Sequence, residues 1–147
     1  MNTKPKKINH ERIESKIRNI IDSVNMVGDK IPSDFEDFLS LGLVKEGIYK
    51  RIEFAIECII DICNIINSDL ELGMPESEDQ ILDNLEKNKI FDRKTISLIQ
   101  EMKKFRNILI HKYGEINDEQ AFENIKDGLK DFETVINEIE KFLKKHK

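Results

Sequence analysis

The chain has no tryptophan, two cysteines, three prolines and six glycines in 147 residues. Two cysteines are too few for the disulfide framework of a small secreted protein. Their spacing also excludes a bond or a shared metal: Cys58 and Cys63 fall on one expected helix and, at about 100° per residue, point about 140° apart. They are read as filler in a reducing compartment. So little proline and glycine leaves few breaks for short strands and tight turns. No run reaches the roughly 18 consecutive apolar residues of a membrane span. The basic start MNTKPKKINHERIESK leads into an amphipathic pattern and so lacks the core of a secretory signal. The expectation is a soluble, cytoplasmic protein without a membrane partner. A formal net charge of -5 excludes a protein that coats nucleic acid over its whole surface, and no DNA partner is expected.

What the chain does have is charge, at 36% of residues, sorted with isoleucine and leucine at helical spacing. The length suits one domain spanning 1-147. A first helix is expected from about Asn9 to Val27, stopping near Gly28; Ser33 then caps a short helix through Phe35, Phe38 and Leu39. Gly42 separates it from a long helix, about Val44 to Ile66. The turn-rich NSDLELGMPE follows, and Ser77 or Glu78 opens a second short helix with Ile81, Leu82 and Leu85. Asp92 caps a helix from Arg93 to Lys112 that ends at Tyr113-Gly114. Asn117 caps a last helix whose stripe is Phe122, Ile125, Leu129, Phe132, Val135, Ile136, Ile139 and Phe142. The fold class is therefore all-α, an antiparallel four-helix bundle with one or two short inserted helices.

The stretch FRNILIHKY, Phe105 to Tyr113, places polar groups where a buried helix would not need them. On a helical wheel Leu98, Ile99, Met102, Leu109 and Ile110 form one arc, and Arg106 and Tyr113 fall in its middle. Asn107 and His111 share the flank of that arc. An arginine in an apolar arc must meet a carboxylate or a second chain, because an unpaired buried charge costs several kcal/mol, on the order of 3–5. Glu53, Glu57 and Asn64 form a stripe along the edge of the preceding long helix, with Asp61 just beyond. One reading is structural: Arg106 pairs internally with Glu57 or Asp61, His111 is solvated and Tyr113 packs with its hydroxyl wet. The other is chemical. A cation for a phosphorane and a histidine for proton transfer are what RNA cleavage by internal transesterification needs, with no metal and no cofactor. Between Arg93 and Tyr113 stand Arg93, Lys94, Lys103, Lys104, Arg106 and Lys112 against Glu101 alone, a segment of +5 in a chain of -5. Lys103, Lys104 and Lys112 are the candidates for RNA phosphate contacts. His10, His146 and the basic KFLKKHK tail fit no pattern and read as end residues.

Arg106-Asn107-x-x-x-His111-x-Tyr113 resembles the Arg-x4-His-x-Tyr signature of HEPN-domain ribonucleases, specifically the HepT-like toxins of toxin–antitoxin pairs. The acidic helix YKRIEFAIECIIDICNII, the loop with Gly73 and Pro75, the short helix and FRNILIHKYGEIN agree, so the resemblance covers nearly the whole chain. It implies a HEPN four-helix bundle that forms a homodimer, with Arg106 and His111 of both protomers catalytic in an interface cleft. Asn107 would be the polar residue beside the arginine. Tyr113 would match the tyrosine that an MntA-like nucleotidyltransferase antitoxin modifies with AMP. The assignment of Glu57 and Asp61 as supports for Arg106 comes from the wheel, not from the resemblance. The implied function is a metal-independent endoribonuclease toxin; the alternative is a catalytically silent HEPN bundle that binds a nucleotidyltransferase partner.

Overall fold

The computed structural model describes residues 6–147; the first five, which open the basic N-terminal stretch considered above, lie outside the described residues. Helix α1 spans His10–Lys30, with the Asn9 side chain accepting from the Arg12 amide. The expected stop at Gly28 is wrong. An interior helical glycine costs only about 1 kcal/mol, and the helix ends two residues later because Ile31 precedes Pro32 and takes an extended backbone. Helix α2 is Phe35–Leu39, and Asp34 rather than Ser33 holds the cap position, without a side-chain cap bond. Gly42, at φ 58, turns the chain into α3, Leu43–Asp69. The left-handed backbone there explains the glycine.

Helix α4 is Glu78–Lys87, α5 is Arg93–His111 and α6 is Asp118–Lys145, with a 3-10 turn at Tyr113–Glu115 between the last two. Ser77, Asp92 and Asn117 cap them as expected, accepting from the amides of Gln80, Thr95 and Gln120. Each satisfies an otherwise orphaned helix N–H.

Cross-links fix the directions of the four long helices. The backbone amide of Asn9, the cap of α1, donates to Asp69 of α3 and Lys16 of α1 to Asp61, so ascending positions on one meet descending positions on the other. Phe91, just before α5, meets Phe142 near the end of α6, and His10 bonds the carbonyl of His146 at 2.7 Å. Neighbours are thus antiparallel around the ring α1, α3, α5, α6. His146 also stacks on Phe142 at 4.3 Å, so the C-terminal tail is packed and not frayed as its composition implied.

Helix α3 is the centre of this arrangement. Ile48, Ile52, Ala55, Ile56, Ile59, Ile62, Cys63 and Ile66 are buried along one broad arc, and so are Tyr49, Cys58, Ile60, Ile65 and Asn67. The helix is wrapped by α1 on one side and by α4 and α5 on the other. Val44, near the helix start, is 44% exposed. Both cysteines are free and buried. Burial pushes the Cys63 thiol up to about 12 and the Cys58 thiol up as well, so neither is a ready thiolate.

At the end of the bundle that carries α2, Phe38 is buried between Tyr49 and Phe122. The Tyr49 hydroxyl donates to Asp118 at 2.6 Å and Lys45 reaches the same carboxylate at 3.0 Å. This link pins the start of α6 to the start of α3, and with it the turn that carries Tyr113. Tyr49→Phe is expected to cost about 1 kcal/mol in urea unfolding, the net worth of one hydrogen bond, because Lys45 still satisfies Asp118. A loss above about 3 kcal/mol would mean that the whole end of the bundle hangs on this hydroxyl. Among the described residues no helix is long and apolar enough to cross a membrane.

Candidate functional site

Arg106 sits in the buried arc of α5 with Thr95, Ile96, Ile99, Met102 and Leu109, and is 5% exposed. Such a position requires every donor to be met. Nε donates to Asn107 Oδ1 at 3.1 Å and Nη2 donates to the same oxygen at 2.8 Å. Nη1 donates to Glu57 at 2.9 Å and to Glu78 at 3.0 Å, and Nη2 donates to the second Glu78 oxygen at 2.5 Å. A guanidinium has five N–H groups, and all five are engaged. Hydrogen bonding from Arg106 holds the Glu78 carboxyl below its ordinary value against the opposing effect of burial. The same bond raises Arg106 further above its ordinary value.

The site joins three helices. Glu57 comes from the middle of α3, Arg106 and Asn107 from α5, and Glu78 from the first turn of α4, where the helix end favours a carboxylate. Sequence reasoning missed Glu78. The signal was a carboxylate directly after the Ser77 cap, although nothing in the local pattern says which distant cation it meets.

The other expected residues divide. Asp61 does not support Arg106; it lies farther along α3 and pairs with Lys16 at 3.0 Å, on the α1 side. Asn107 does not pair with His111, because its oxygen is committed to Arg106. His111 is the last residue of α5 and exposed, and among the described residues it has no hydrogen-bond partner. Tyr113 is not in the apolar arc. The α-helix ends before it, so the wheel does not extend to it, and the side chain is 63% exposed in the 3-10 turn. The neighbouring Glu46 carboxylate raises its phenol above the ordinary value. Ile110, placed in the same arc, is 41% exposed.

The basic strip is largely neutralised by local carboxylates. Lys103 pairs with Asp79 at 2.7 Å, Lys104 with Glu101 at 3.2 Å and Arg93 with Glu86 at 2.8 Å. Of the lysines assigned to RNA, only Lys112 stands without an ion pair among the described residues. Among those residues no three His, Cys, Asp or Glu side chains converge as metal ligands would. A groove of about 240 Å³ lined by Ile52, Leu98, Met102, Phe105 and Phe132 lies on the other flank of α5 and includes none of the site residues.

Five residues along an α-helix separate Arg106 from His111 by about 7.5 Å along the axis and about 140° around it. One chain therefore presents an arginine clamp and a free histidine that do not converge.

Comparison with known proteins gives this arrangement a context. The mRNA nuclease HepT of Shewanella oneidensis is 28% identical over 96 residues, which span 65% of this chain and 72% of that protein. A tri-AMPylated Shewanella oneidensis HEPN toxin in complex with MNT antitoxin superposes with a TM-score of 0.78 at 25% identity, covering 95% of this chain and 98% of that one. YutE from Bacillus subtilis, a cytosolic protein of unknown function, superposes with a TM-score of 0.78 at 17% identity over 94% of this chain and 92% of its own, a likeness of fold alone. The profile of the ribonuclease HepT-like family matches residues 20–139, most of the chain, and the protein belongs to that family.

Proposed function

We propose that the chain, as one HepT-like unit over its whole length, is the endoribonuclease toxin of a toxin–antitoxin pair. The observation that carries this reading is the buried Arg106 held by Glu57, Glu78 and Asn107 and, five residues on, a solvent-facing His111, in the Arg-x4-His-x-Tyr pattern of a HepT-like family member. In the reaction the 2′-oxygen of a nucleotide attacks the adjacent phosphorus and the P–O5′ bond breaks. The products are a 2′,3′-cyclic phosphate and a 5′-hydroxyl. One proton leaves the 2′-hydroxyl and another is delivered to the departing 5′-oxygen, and His111 serves one of these transfers. Arg106 balances the charge that develops on the phosphorane. No metal enters these steps.

Because one chain keeps Arg106 and His111 apart, the cleft is completed by a second copy, with each protomer supplying both residues. Phe54, 38% exposed one turn before Glu57, and Ile110, 41% exposed one turn after Arg106, give that face apolar surface to bury. A cytoplasmic location goes with this function.

Control comes from Tyr113. Its exposure in a turn past the helix end makes the phenol reachable by an MntA-like nucleotidyltransferase. Attached AMP would place bulk and negative charge beside His111 and repel RNA phosphate. Tyr113→Phe protein is expected to escape neutralisation when the antitoxin is co-expressed, measured as growth arrest; full neutralisation of this variant would remove Tyr113 from the scheme.

A second reading, a silent module that only binds the nucleotidyltransferase, draws on the saturation of Arg106. The deciding experiment is cleavage of single-stranded RNA and total tRNA in EDTA by protein made without antitoxin. Cleavage that His111→Ala removes supports the nuclease; an inert wild type supports the silent module.

A further inference from the structure

The clamp that makes Arg106 tolerable in the core also makes it unavailable. With all five N–H groups engaged, an RNA phosphate cannot add to the guanidinium and has to replace one of its ligands. What each ligand is attached to decides which one leaves. Asn107 is the next residue on α5, so its oxygen travels with the arginine. Glu57 contributes a single bond from the middle of α3, a long helix packed against α1, α4 and α5. Glu78 contributes two bonds, one to each terminal nitrogen, from the first turn of a ten-residue helix. Exposure does not separate the two glutamates, whose side chains are 39% and 35% exposed, but only Glu78 stands at the start of a short helix. It also follows a loop in which Met74 is 93% exposed.

The Glu78 carboxylate spans Nη1 and Nη2 with two oxygens, as a phosphate does on an arginine. We infer that Glu78 occupies, in the free protein, the place of two oxygens of an RNA phosphodiester, and that RNA reaches Arg106 by displacing it. The substrate class in this inference rests on the nuclease reading. The displaced carboxylate has a destination in Lys103, whose charge already acts on Glu78 and whose ammonium lies 2.7 Å from Asp79 in the same turn of α4. Exchange of one anion for another keeps the guanidinium paired throughout. The consequence is a built-in brake, because RNA binds more weakly than it would to an arginine without this competitor. Glu57 has the opposite role and holds the guanidinium in place while the exchange occurs.

The test is fluorescence anisotropy with a 2′-O-methyl RNA oligonucleotide, which lacks the attacking hydroxyl, together with the Arg106 Nε–Hε NMR signal. Glu78→Gln keeps the shape and removes the charge, and is expected to bind about tenfold more tightly than wild type, the worth of one charge-assisted hydrogen bond no longer competing. The Arg106 signal should shift on titration in both proteins, and Glu57→Gln should bind more weakly than wild type. Glu78→Asp, which keeps the charge but falls short of the guanidinium, provides the same release should the glutamine variant fail to fold. Equal affinity of wild type and Glu78→Gln, an Arg106 signal that RNA does not move, or no binding by either protein would overturn the inference. Equal affinity with cleavage intact would leave the nuclease reading standing. Tighter binding by Glu78→Gln with no cleavage by wild type would keep the displacement and remove the nuclease.

Discussion

Arg106→Ala is expected to lose about 2–3 kcal/mol of stability in urea unfolding. Truncating one partner of a buried ion cluster usually costs about 3–5 kcal/mol, because the remaining charges are stranded. Here the stranded groups are Glu57 and Glu78, whose side chains are 39% and 35% exposed and regain part of their hydration. The change also leaves a void among Ile99, Met102 and Leu109, which adds to the loss. The pH dependence changes too. Folding lowers the Glu78 carboxyl from its ordinary 4.5. Its contribution is therefore complete above that value and lost as pH falls through the lower folded value. Without Arg106 this part of the acid limb flattens. Cleavage should fall by about 10²–10³-fold, as for loss of one donor to a developing oxyanion. Urea midpoints for both proteins from neutral pH into the acid range check the first two effects, and an alanine variant as stable as wild type would show that the clamp contributes nothing to folding.

His111→Ala is expected to separate rate from stability. A general acid or base contributes about 10²–10⁴-fold, and cleavage of single-stranded RNA should drop by that factor. The urea midpoint should stay where it is, since His111 is exposed and without a hydrogen-bond partner among the described residues. Surface changes of this kind usually fall within about 0.5 kcal/mol. A variant that keeps its cleavage rate would remove His111 from the chemistry. The pair of variants is more informative than either alone, because only Arg106 is both a core residue and a site residue.

The order and type of the helices were legible because their signals are local. Asp92, Ser77 and Asn117 cap what the apolar spacing continues, and a chain with so few breaks offers little else. The errors also have local causes. Gly28 reads as a stop although α1 tolerates it, and Pro32 ends the helix by restricting Ile31. Tyr113 fell among the apolar residues only because the wheel was carried past the point where Lys112 leaves the helix. The site was half legible. That Arg106 must meet a carboxylate follows from its place among Ile99, Met102 and Leu109, and Glu57 does meet it. Asp61 was an equal candidate on the wheel, which fixes the side of α3 but not the neighbour packed there. Glu78 is 28 residues from Arg106 in the chain, on an element whose docking no short-range pattern specifies.

The wrapping of α3 bears on how the protein moves. A helix packed along most of its length against three others opens only with much of the bundle, whereas the end of α5 and the turn after it, from Lys112 to Glu115, are exposed and can fray alone. Glu57 is mounted on the first kind of segment and His111 and Tyr113 on the second. The proposed cleft would thus have one wall that keeps its place through ordinary thermal fluctuation and one that yields. On the proposed function, the stiff wall would fix where the arginine points, and the yielding one would leave histidine and tyrosine free to follow an RNA strand or an enzyme's nucleotide.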